Sequence, residues 1–156
     1  MSIQLLRKAA FALCLLAVGL FAAENPFAGT WKLNAAKSKL AGSGIGPSGG
    51  VRVESDGATY KASVDTTDEK GQPVKYDYEA TLDGKPSKVT GSAAVDELSL
   101  KRVNDHTVNA TGKKNGKVVY TDKRTVSQDG NTYTISRTGT DAAGKKYHAT
   151  IAFDKQ

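Results

Sequence analysis

The chain predicts an all-β fold, a single antiparallel up-and-down β-barrel of about eight to ten strands. Three observations carry that expectation. After Phe27 no segment sustains the apolar period of a helix, whereas period-two alternation recurs to the end of the chain. Dipeptides that tolerate positive φ stand between the alternating runs: Asp56-Gly57, Asp83-Gly84, Asn115-Gly116 and Asp129-Gly130. The runs follow one another every ~10 to 14 residues, too closely for crossover helices, so each strand is expected to pair with its sequence neighbour. A meander of that length hides its edges most economically by closing on itself.

The first element lies outside the barrel. MSIQLLRKAAFALCLLAVGLFAAENP opens with Arg7 and Lys8, runs apolar from Ala9 to Ala23 and turns polar, the pattern of a secretory signal peptide. The apolar run is shorter than the roughly 20 residues a spanning helix needs. Residues 1–23 are therefore expected to be the signal peptide and 24–156 the barrel domain, periplasmic or secreted, with no stable membrane insertion after cleavage. Cys14, the only cysteine, falls inside the signal, so the mature chain is expected to hold itself together without disulfides.

The expected strands are, in order, Gly29–Asn34, Val51–Ser55, Thr59–Asp65, Val74–Leu82, a short Ser87–Thr90, Asp96–Val103, Thr107–Thr111, Lys117–Ser127, Thr132–Arg137 and Tyr147–Phe153. VKYDYEATL alternates most cleanly, with Val74, Tyr76, Tyr78, Ala80 and Leu82 on one face and Lys75, Asp77, Glu79 and Thr81 on the other. Asn104-Asp105 and TDAAGKK read as further turns. The Gly/Ser-rich stretch AGSGIGPSGG, Ala41 to Gly50, is expected to lie across a barrel mouth, either as a lid or as an unfastened Ω-loop.

The opening stretch NPFAGTWKLN, followed by KSK, resembles the first strand of the lipocalin and fatty-acid-binding superfamily, in which Gly-x-Trp follows a short helical turn. Asp83-Gly84-Lys85, Val89-Thr90-Gly91, Leu100-Lys101-Arg102 and the run Lys113 to Val119 extend the likeness to a group of small exported bacterial lipocalin-like proteins. The resemblance implies a lipocalin/fatty-acid-binding-like barrel with an interior cavity, Trp31 as the plug of its bottom end, and an arginine stacked on that ring. It implies no particular ligand. Avidin-type sites wall their ligand with several tryptophans, and Trp31 is alone here. Fatty-acid carriers hold the carboxylate with Arg-x-Tyr on the last strand, and KYHATIAF has no arginine.

Arginine is scarce in the mature chain: Arg52, Arg102, Arg124 and Arg137 stand against about four times as many lysines. Arg102 shares parity with Leu98 and Leu100, Arg124 with Val118, Tyr120 and Val126, and Arg137 with Tyr133 and Ile135. Three of the four are thus expected on the apolar, inward face. The candidate ligand-binding set is Arg102, Arg124, Arg137, Tyr76, Tyr78, Tyr120 and Tyr133. The guanidinium fork suits a carboxylate, and tyrosines supply apolar walls with polar tips. Against this stands a structural role: the arginines sit near strand ends and can curl over the rim, and Asp122, on the same parity, can pair with Arg124 or Arg102.

Catalysis and cofactors find little support. His106 and His148 are far apart in sequence without a third ligand, so no metal site is expected. The Gly-rich stretch lacks the lysine and following helix of a phosphate loop. Removing Arg7 and Lys8 leaves the net charge of +6 at about +4, and the lysines are scattered. That pattern fits a solvated β surface and argues against a nucleic-acid partner. The expected function is an exported, non-enzymatic carrier of a small apolar or amphipathic ligand, acidic-headed if the arginines face it. The alternative is a protein-interaction module, such as a protease inhibitor or a partner of another envelope protein, using Glu24–Phe27 and Ala41–Gly50.

Overall fold

A computed structural model describes residues 25–156. The expected signal peptide, Cys14 and Glu24 lie outside the described residues. Ten strands follow in order: β1 (Gly29–Leu33), β2 (Gly49–Ser55), β3 (Thr59–Thr67), β4 (Pro73–Thr81), β5 (Asp83–Lys88), β6 (Glu97–Asn104), β7 (Thr107–Lys114), β8 (Lys117–Val126), β9 (Thr132–Thr140) and β10 (Lys146–Lys155). A single 3₁₀ turn, Ala35–Lys37, is capped by the Asn34 side chain, which accepts from the Lys37 amide. The strands form one antiparallel sheet in the order β4-β3-β2-β1-β10-β9-β8-β7-β6-β5.

The fold is therefore an up-and-down meander that closes through the pairing of its first and last strands, β1 with β10. It is nearly but not fully closed. Asp83-Gly84, read from sequence as a hairpin turn, does not join two paired strands. The chain turns at Leu82, β5 begins at Asp83, and its partner is β6 rather than β4. Between β4 and β5 a lone bridge, Asp77 to Thr90, spans the sheet's two outer edges.

Alternation sorts the side chains as a barrel requires. Val53, Tyr60, Ala62, Ala80, Leu98, Leu100, Ile135 and Ile151 are buried, and around the first four the alternate positions carry exposed charge, as at Arg52, Glu54, Lys61 and Glu79. Val118 departs from the expected parity. The β7–β8 ladder shifts between Gly112 and Lys113, Val119 is the extra residue, and Val118 is turned out to 55% exposure.

One end is shut by aromatic rings. Asn25 starts the turn before β1, accepting from the Phe27 amide through its side chain and from Ala28 through its carbonyl. This brings the Phe27 carbonyl 2.9 Å from Trp31 Nε1, which donates to it. Trp31 is completely buried, and Tyr133 packs edge-on against both Phe27 and Trp31. The cation above the indole is Lys155, whose Nζ lies 5.5 Å from the ring centroid. It replaces the arginine implied by the resemblance, because β10 ends beside Trp31 in the β1–β10 ladder.

Candidate functional site

Above the aromatic plug lies an interior cavity of about 270 Å³. Its floor is made by Tyr60 and Tyr133, whose hydroxyls meet at 3.2 Å. Val51, Leu98, Ile135 and Ile151 form apolar walls, and Tyr76 and Tyr78 form the side nearest the gap in the sheet. Tyr78 stacks between Tyr60 and Tyr76, with centroid separations of 6.1 and 6.3 Å.

The cavity meets solvent where three connections converge: Ser43–Ile45, Thr66–Asp68 and Ser92–Val95. The Gly-rich stretch is a docked lid. Lys39 bridges Thr150, the Gly46 amide donates to Thr67 O, and Thr67 N donates back to Ser48 O. Gly44 N donates to the Glu69 carboxylate, and Ile45 packs against the core. Only glycine permits the seating at residue 46, where a Cβ would lie 2.2 Å from the Asp68 carbonyl oxygen. The stretch also contains two bare motif spacings, Gly44-x-Gly46-x-x-Gly49 and Gly46-x-Ser48-x-Gly50. It leads into β2 instead of a helix, and Ser48 Oγ meets only Thr67 Oγ1, at 3.2 Å. Neither spacing therefore has the setting its chemistry requires.

The polar element inside the barrel is an ionic trio. In the β8–β9 ladder Asp122 stands directly opposite Arg137, and Arg124 opposite Ile135. Arg137 grips Asp122 with two bonds, Nε to Oδ1 at 2.7 Å and Nη2 to Oδ2 at 2.9 Å. Arg124 reaches Oδ2 with Nε and Nη2, at 3.2 and 3.0 Å, and its Nη1 donates to the Tyr78 hydroxyl at 2.8 Å. Side-chain exposures are 0% for Asp122, 5% for Arg124 and 10% for Arg137. Burial pushes the Asp122 carboxyl up, but the two guanidiniums outweigh it and hold the group below its ordinary range. Arg137 lies flat on Tyr120, its Cζ 3.6 Å from the ring centroid. Tyr120 is itself fixed by lying over Gly112, where a Cβ would come 2.5 Å from the ring.

Of the sequence-predicted residues, the structure gathers Arg124, Arg137, Tyr76, Tyr78, Tyr120 and Tyr133 around one cavity. It does not bring Arg102 there. That side chain is 37% exposed and curls across the closed end, donating to Gly57 O and pairing with Asp105. Arg102 keeps the register of Leu98 and Leu100, opposite the buried Val108, but it is the last regularly paired residue of β6, so its long side chain curls over the closed end to Gly57 and Asp105 instead of reaching the cavity. Tyr60, whose alternation with Ala62 and Val64 places it on the inward face as a further wall tyrosine, belongs to the cavity floor. Among the described residues no three His, Cys, Asp or Glu side chains converge on a point that could hold a metal.

No family model matches the chain, and no curated protein matches it. Solved structures similar to it include EF1p2_mFAP2b bound to DFHBI, 13% identical over 84% of this chain and 94% of that one, with a TM-score of 0.45. Another is a redesigned β-barrel, mFAP1, bound to DFHBI, 13% identical over 83% and 95%, with a TM-score of 0.39. The barrel assignment stands on the strand ladder itself.

Proposed function

We propose that this chain is an exported binding protein that holds a compact apolar or amphipathic molecule inside its barrel and performs no chemistry on it. The observation that carries the reading is the cavity between the Tyr60–Tyr133 floor and the lid, apolar on most sides and faced by two guanidiniums. At about 270 Å³ it falls just under the ~300 to 1,000 Å³ of common ligand pockets. That size favours a short or ring-shaped ligand over a long acyl chain. Each square ångström of apolar ligand surface withdrawn from water contributes roughly 25 cal/mol, and the polar groups set orientation. Export rests on the signal-like leader of the sequence.

Native mass spectrometry of the protein purified from its own host tests this reading, together with a thermal-shift panel of small amphipathic compounds. A bound small mass, or stabilisation by members of the panel, is expected. A clean apo mass with no shift across the panel would remove the carrier reading.

A further inference from the structure

Resting on that reading, we propose that the ligand is a monoanion anchored at Arg137, with its charged group toward the mouth and its apolar body on the Tyr60–Tyr133 floor. The hydrogen-bond inventories of the two guanidiniums differ. Arg124 commits Nε and Nη2 to Asp122 and Nη1 to the Tyr78 hydroxyl. Arg137 commits Nε and Nη2 to Asp122, and its Nη1 serves no carboxylate among the described residues. Arg137 is also the more accessible of the pair. A guanidinium has N–H donors on all three nitrogens, and beyond Asp122 the Arg137 guanidinium meets the neutral Tyr147 hydroxyl at the mouth, so it keeps an edge that a second anion can share with Tyr147.

Charge points the same way. Two guanidiniums share one carboxylate, so the buried trio carries one net positive charge. Charge held away from water is costly unless paired, and one carboxylate or sulfonate balances this one. A dianion would leave an excess negative charge in the same place.

Position fixes the orientation. A second, open hollow of about 660 Å³ lies at the mouth, bounded by Ser43 and Gly44, Ala93 and Ala94, and Tyr147. Arg137 and Tyr120 line both it and the inner cavity, whereas Arg124 lines the inner cavity alone. An anion on Arg137 therefore sits at the boundary, and a substituent on the charged end extends outward. The rim carboxylates do not oppose it strongly, because Glu69 accepts from the Gly44 amide and Asp141 from the amides of Ala143 and Lys145. Lys114 on the same rim adds a positive charge.

Calorimetric titration with phenylbutyrate and its uncharged analogue phenylbutanol tests the anchor. The wild-type chain is expected to prefer the acid by about tenfold or more, the scale of one charge-assisted hydrogen bond. Arg137→Gln removes the donor fork and its charge while Asp122 keeps Arg124 as its partner, so it should abolish most of that preference and spare alcohol binding, while Arg124→Lys should keep the preference within about twofold. The exposed Ala94→Glu variant, which leaves the trio untouched, should weaken the acid and spare the alcohol. A preference kept in Arg137→Gln, or an acid affinity indifferent to Ala94→Glu, would overturn the assignment. Equal binding of acid and alcohol by the wild-type chain overturns the anchor and leaves the cavity reading standing. Absence of binding by both overturns the two together.

Discussion

Tyr60 and Tyr133, 73 residues apart, meet hydroxyl to hydroxyl at 3.2 Å in the buried interior. They sit on β3 and β9, which are not neighbours in the sheet, so this bond crosses the barrel and ties opposite walls above the aromatic plug. It also decides which groups a ligand meets at the floor. Replacing either tyrosine alone by phenylalanine strands the other hydroxyl, at about 1–3 kcal/mol. The double variant removes both partners and should cost less than the two singles added together. Urea midpoints at unchanged m-value check this. Strict additivity would show that each hydroxyl bonds elsewhere.

The same burial predicts an alkaline limit. Desolvation pushes the Tyr133 phenol up to about 12, and raises Tyr60, Tyr76 and Tyr120 as well. Folded pKa values above the unfolded value of 10.0 mean that the barrel favours the neutral phenols. Their contribution is whole below about pH 10 and is lost as pH rises toward and beyond 12, about 3 kcal/mol for Tyr133 alone. Tyrosinate absorbance and far-ultraviolet circular dichroism should change together across that window. Ordinary ionisation near pH 10 with the strand signal intact would contradict the burial of these rings.

Asp122 sets the acid limit. Its carboxyl is held below the ordinary 3.8 in the folded chain, so its contribution is present above that pH and drains away as pH falls through the lowered value. Asp122→Asn leaves two buried guanidiniums without a counter-charge and should cost about 3–5 kcal/mol at neutral pH. The variant should also lose the part of the acid unfolding limb that wild type owes to this group. Stability of the two proteins measured from neutral to acid pH checks both, and parallel curves would show that the trio is not coupled to folding.

Most of the barrel was legible because its evidence is local. Alternation such as Val74, Tyr76, Tyr78 and the Asx-Gly turns other than Asp83-Gly84 located nine of the ten strands to within about three residues, while β5 occupies Asp83–Lys88, where a turn and then a later strand were expected. What escaped depends on register. A single inserted residue at Val119 reverses Val118 and has no marker in composition, whereas Arg102 keeps its register and leaves the interior because it ends the regular part of its strand. The ionic trio was half visible. Parity put Asp122 with Arg124, but the opposition of Asp122 and Arg137 exists only once β8 and β9 are aligned. The lid was read as a loop over a mouth, while its attachment depends on amides of Gly44 and Gly46 meeting a turn more than twenty residues onward.

That attachment yields a kinetic prediction. The lid's Ser43–Ile45 segment borders both the inner cavity and, through Ser43 and Gly44, the outer hollow, so a ligand that enters from the mouth must pass it. Gly46 donates to Thr67 O at 2.7 Å, and a methyl group there would collide with the Asp68 carbonyl, which is backbone and cannot swing aside. Gly46→Ala should lift the lid while β1 to β10 keep their ladder. Gly44→Ala is the comparison: its φ of +74 makes any side chain strained, by ~1 kcal/mol, but a Cβ meets nothing within 4 Å. Stopped-flow mixing with the fluorescent anion anilinonaphthalene sulfonate should show association and dissociation both accelerated several-fold in Gly46→Ala. Affinity should change less than either rate, because the cavity floor and Arg137 are untouched. Gly44→Ala should move the rates less. Unchanged rates in Gly46→Ala would mean that the ligand passes elsewhere, and the gap between β4 and β5, crossed only by the Asp77–Thr90 bridge, would become the route to examine.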